Sequence, residues 1–80
     1  MAWKTIIKDK NLNRWIYYLN KKPVLELDVV NTEYNYKNRK KGYGIYIQNL
    51  VKRTRPVQLR HFLSKAKALK YAKQQMKIRR

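Results

Sequence analysis

His61 is the only histidine in the chain, and catalysis would have to start from it. A general acid or base needs a partner within hydrogen-bond reach, and the four carboxylates, Asp9, Glu26, Asp28 and Glu33, offer no convincing dyad. One histidine, no cysteine and no clustered acids give a metal no ligand set, so no metal site and no cofactor are expected. Next to Phe62, at a strand-to-helix junction, His61 is most simply structural or exposed. The one enzymatic route left is metal-independent RNA cleavage by Arg, Lys, Tyr and His, which needs no carboxylate. The chain is expected not to be an enzyme.

A different chemistry is concentrated in residues 34–60, which contain no carboxylate. Tyr34, Tyr36 and Tyr43 alternate with Lys37, Arg39, Lys40 and Lys41, and Lys52, Arg53 and Arg55 form a second basic cluster. Cations of this kind neutralise phosphates and release counterions. Tyrosine rings stack on unpaired bases, and arginine forks onto a phosphate or a guanine edge. The candidate nucleic-acid-binding residues are Tyr36, Lys37, Arg39, Lys40, Lys41, Tyr43, Tyr46, Gln48, Lys52, Arg53, Arg55 and Arg60. The plainer alternative is a solvated hairpin tip in a chain rich in Lys, Asn and Tyr.

Composition points the same way. Lys and Arg number 21 against 4 Asp and Glu, a formal charge of +17. All four acids lie in residues 1–33 with six bases, and residues 34–80 hold fifteen bases and no acid. Self-repulsion on this scale opposes compaction, and a polyanion would relieve it. With 80 residues the chain is expected to make one small domain, 1–80, with a modest core. The absence of cysteine excludes a disulfide framework. No apolar run reaches the roughly 20 residues of a membrane span. A cytoplasmic protein without membrane contact is expected.

Period-2 alternation marks the elements that must carry these residues. Strands are predicted over 2–8, 14–20, 24–30, 43–51 and 57–61. Leu25, Leu27 and Val29 give the cleanest half-buried pattern, and Trp3 and Trp15 fit an inward alternation. Residues 31–42 form a loop long for a hairpin, and such loops are often functional. Ser64 is a helix N-cap, and Phe62, Ala66, Leu69, Ala72 and Met76 share one face, with Lys67, Lys70, Tyr71 and Lys77 elsewhere. The fold class is therefore α+β: a four- or five-stranded antiparallel meander with one C-terminal helix on one face. The open face is expected to carry Lys4, Lys8, Arg14, Tyr18, Glu26, Asp28, Tyr46 and Gln48. Its acids steer any phosphate toward strands four and five and their loops.

The last third resembles the AP2 and arm-type integrase DNA-binding domains. Phe62, Ser64 and Ala68 match that family's spacing, Leu69 takes the next apolar position, and Tyr71-Ala72 stands where the family has Ala-Tyr. Arg60 and Lys67 depart from its usual Gly and acid, and the likeness covers about thirty residues. It implies a sheet packed on one helix, with the exposed sheet face docked in the major groove of DNA.

These observations lead to one expected function: a non-enzymatic nucleic-acid-binding module that contacts phosphates through a basic, aromatic sheet face and hairpin loops, with DNA slightly ahead of RNA. The alternatives are a small basic inhibitor or accessory protein, of phage or mobile-element type, on an acidic or ribonucleoprotein machine, and a ribonuclease toxin. Candidate partners are nucleic acid, a protein, and a second copy paired through a sheet edge.

Overall fold

The computed structural model describes residues 2–32 and 41–78. It contains β1 (Ala2–Lys8), β2 (Leu12–Leu19), β3 (Lys22–Asn31), β4 (Tyr43–Asn49), β5 (Val57–Phe62) and one helix, α1 (Lys65–Ile78). The strands lie side by side in chain order, and each is antiparallel to the next. The α+β meander expected from the alternation is the fold, with five strands.

Local chemistry sets each turn. Asn20 and Lys21 both have positive φ, 52° and 66°, as a two-residue hairpin turn between twisted strands requires. Between β4 and β5 the Asn49 side chain closes the turn by accepting from the Val51 and Lys52 amides at 3.0 and 2.9 Å. Arg53 in that turn also has positive φ, 52°. Ser64 caps α1, its hydroxyl accepting from the Lys67 amide at 3.5 Å.

The core lies between α1 and one face of the sheet. Leu27, Val29 and Ile45 are fully buried against Ala68 and Ala72. Two alanines at i and i+4 let the helix backbone approach β3 and β4 closely. Trp3, Trp15, Tyr43, Ile47, Leu59, Phe62, Leu69, Tyr71 and Met76 pack around this centre. The helix rests on β3, β4 and β5. Trp3 ties β1 to its far end, the indole Nε1 donating to the Met76 carbonyl at 3.0 Å.

Two expectations about facing are corrected. Ala66 is exposed and Ala68 takes the buried position, while Tyr71 turns inward, its ring 5.6 Å from that of Phe62. Alanine carries little pattern information, so the aromatic contact and the close approach fix the helix rotation. Lys8 also leaves the open face. A bulge between Thr5 and Ile7 inserts one residue into β1, which reverses the alternation after it. Lys8 then lines a cleft on the helix side with Asn13, Trp15 and Leu69.

Candidate nucleic-acid interface

The open face of the sheet is organised around Arg14. Its Nε and Nη2 donate to the two carboxylate oxygens of Asp28 at 3.0 and 3.2 Å, and Glu26 lies 3.2 Å from the same Nε. Register explains the grouping: Arg14 stands opposite Asp28 on β3, and Glu26 is two residues away on the same side. The guanidinium is stabilised in its charged form, first by its hydrogen bond to Asp28. The Glu26 carboxyl is held above its ordinary range, first by burial and then by its hydrogen bond to Asp28 and the charge there; Arg14 pulls the other way. The middle of this face is thus an acid-rich, internally paired site.

Around it, Lys4 sits over the Tyr18 ring at 5.2 Å. Gln48 lies opposite Glu26, and Tyr46 opposite Asp28. The Tyr46 ring covers Gly44 so closely that a β-carbon there would meet its Cε1 at 2.7 Å. His61 is engaged at the base of the β3–β4 connection. Thr32 Oγ1 donates to the Gly42 carbonyl at 3.2 Å and lies within hydrogen-bond distance, 3.3 Å, of His61 Nε2. Among the described residues no group of three His, Cys, Asp or Glu side chains could hold a metal ion.

The sequence-derived candidates are divided by this fold. Tyr36, Lys37, Arg39 and Lys40 lie outside the described residues. Lys41 is exposed at the exit of that connection. Tyr46 and Gln48 are on the open face. Tyr43 packs against the helix-side core, and Arg60 is on the same side, its guanidinium 5.8 Å from the Phe62 ring and 5.9 Å from that of Tyr71. A bulge near Ile45 places Arg60 opposite that residue. Tyr43 and Arg60 therefore share no footprint with Tyr46 and Gln48. Lys52, Arg53 and Arg55 are exposed on the β4–β5 turn, at the opposite end of β4 from Lys41.

That end gathers more charge than the β4–β5 turn alone supplies. In a meander every second turn lies at the same end, so the β2–β3 turn with Lys21 and Lys22 stands beside the β4–β5 turn. The Leu50 amide donates to the Val24 carbonyl at 3.0 Å, which joins the two turns' bases. Strand spacing puts the turn tips about 10 Å apart. Five exposed cations, Lys21, Lys22, Lys52, Arg53 and Arg55, meet there, and neither turn contains a carboxylate. Lys21 and Lys22 were not singled out from sequence; the signal was the parity of the turns, not a motif.

A second basic surface is the outer side of α1. Lys67, Lys70, Lys73 and Lys77 are exposed, and the helix has no acid. Spacings of three and four keep them on one side over about 15 Å. Lys73 also faces Lys8 across the cleft lined by Thr5, Asn13, Trp15 and Leu69, which encloses about 170 Å³. That is smaller than the roughly 300 Å³ at which small-molecule pockets begin. Among the described residues no helix is long and apolar enough to cross a membrane. Comparison of the chain with protein-family models, with curated proteins and with solved structures finds no match.

Proposed function

We propose that this protein is a non-enzymatic nucleic-acid-binding module that grips the phosphate backbone with the basic end of its sheet. The observation that carries this reading is the meeting of Lys21, Lys22, Lys52, Arg53 and Arg55 on two neighbouring turns without a carboxylate. Cations about 10 Å apart lie just beyond the roughly 8 Å Debye length of physiological salt but well inside the roughly 30 Å of 0.01 M salt, so their mutual repulsion grows as salt falls and an anion lying among them relieves it. The lysines of α1 and Lys41 extend the positive field that steers a polyanion toward the domain.

The resemblance to AP2 and arm-type integrase domains implies docking by the open sheet face. A phosphate laid on the middle of that face would meet Glu26 and Asp28, and the one arginine there is already engaged by both. Contact is therefore assigned to the turn end and the helix side, with Tyr46 and Gln48 left at most a flanking role.

The test is a titration of a fluorescein-labelled duplex at several salt concentrations. About five phosphate contacts give a slope of log affinity against log salt near −4.5. The Lys52→Ala/Arg55→Ala double variant should flatten it by about two units. A wild-type protein that leaves the duplex free at low salt, or a slope indifferent to these substitutions, would refute the assignment.

A further inference from the structure

Lys21 and Arg53 occupy positions where a residue with a β-carbon is costly. Both have positive φ, 66° and 52°, in the left-handed region that a β-carbon disfavours and glycine adopts freely. Asn20, at φ 52°, is a residue that tolerates this conformation; Lys and Arg are not. Each turn thus places a long cation where a glycine would be more stable, and the two turns are neighbours at one end of the sheet. Residues held in a sparsely populated backbone region cluster at functional sites. The neighbours sharpen the point, since Lys22, Lys52 and Arg55 add to the repulsion that Lys21 and Arg53 must bear.

Resting on the nucleic-acid reading above, we infer that Lys21 and Arg53 form a two-point clamp for the phosphodiester backbone of a duplex, one cation per turn. Two strand spacings separate the bases of the two turns, about 10 Å, and both side chains are exposed. The partner is duplex, not single strand, because the chemistry for unpaired bases is absent from these turns. Residues 20–23 and 50–56 contain no aromatic side chain, and without a stacking platform the affinity must come from charge. Duplex DNA presents the denser line of phosphates, one per about 1.7 Å of axis. Binding of this kind positions without reading sequence.

The experiment compares wild type with Lys21→Gly, Arg53→Gly and the double variant. Thermal unfolding is followed beside anisotropy titrations with a labelled mixed-sequence 20-base-pair duplex and with one of its strands alone. Relief of backbone strain should raise the Tm of each variant by several degrees. Loss of the cations should weaken duplex binding roughly eight-fold each at 0.1 M salt, about 60-fold together, and reduce the salt slope by about two units. Wild type should prefer the duplex over the single strand. A more stable double variant that binds with unchanged slope would make these residues mere turn formers and overturn the clamp while the nucleic-acid reading survives. Lower Tm in both glycine variants would overturn the strain premise. A wild type that prefers the single strand would overturn the duplex assignment alone. Failure to bind either probe would overturn the clamp together with the reading it rests on.

Discussion

Replacing Asp28 by asparagine tests whether the paired charges on the open face stabilise the fold. Asp28 is only 9% exposed and accepts both hydrogen bonds from Arg14, at 3.0 and 3.2 Å. Removing one partner of a buried pair costs about 3–5 kcal/mol. That figure must be reduced here, because the Arg14 side chain is 32% exposed and Glu26 stands 3.2 Å away to take over part of the contact. We expect a loss of about 2 kcal/mol at pH 7, near the value of two charge-assisted hydrogen bonds less partial rescue. For a domain of this size that lowers Tm by roughly 10 °C. Glu26→Gln should behave oppositely. The folded state holds the Glu26 proton more tightly than the unfolded chain, whose reference value is 4.5. Its contribution is therefore fully present below that value and is lost as pH rises through the raised folded value. Glu26→Gln should abolish this decline and leave stability at pH 7 equal or slightly higher. In Asp28→Asn the decline should shrink, because the Asp28 charge that helps to raise the Glu26 carboxyl is gone. The assay is urea unfolding followed by circular dichroism between pH 4 and 7. A Glu26→Gln loss as large as that of Asp28→Asn would refute the division of labour, as would an Asp28→Asn loss below about 0.5 kcal/mol.

Gly42→Ala should cost about 3 kcal/mol or prevent folding, since φ is +116° and a β-carbon would collide with the Phe62 carbonyl oxygen and the His61 ring; thermal unfolding reads it. Gly44→Ala should cost only about 1 kcal/mol in the same assay, because the obstacle is the movable Tyr46 ring. Trp3→Phe removes the bond to the Met76 carbonyl and should lower stability by about 1 kcal/mol, measured by denaturant titration. Ser64→Ala should lose about 0.5 kcal/mol of helix capping, at the low end of such effects because the bond to the Lys67 amide is long, 3.5 Å.

Much of the sheet was legible because burial writes itself as alternation. Leu25, Leu27 and Val29 on β3, and Ile45 and Ile47 on β4, announced their face, and Ser64 announced the start of the helix. The errors have one physical source: features that depend on a neighbour. The bulge that moved Lys8 exists only because β1 must pair with β2 around it. The rotation of α1 depended on which alanine would seat on Leu27 and Ile45, and small side chains leave no mark in a hydrophobic pattern. The candidate site was legible as charge but not as place. Lys52, Arg53 and Arg55 stood out as a run. Their meeting with Lys21 and Lys22 followed from strand order, and the paired acids at Arg14 changed which surface a phosphate could use.

The indole of Trp3 and the carbonyl of Met76 are separated by 73 positions along the chain, yet share one hydrogen bond. Among the described residues β1 has a single strand neighbour, and Met76 lies in the last turn of α1, so each belongs to a part of the fold prone to fray. Their bond makes the two loosenings one event. Opening the final helical turn frees the indole, and peeling the first strand deprives the helix of a partner for a carbonyl that has no intrahelical one. The sheet and helix are thereby latched at the margin, and the domain trades two independent weak ends for one cooperative seam.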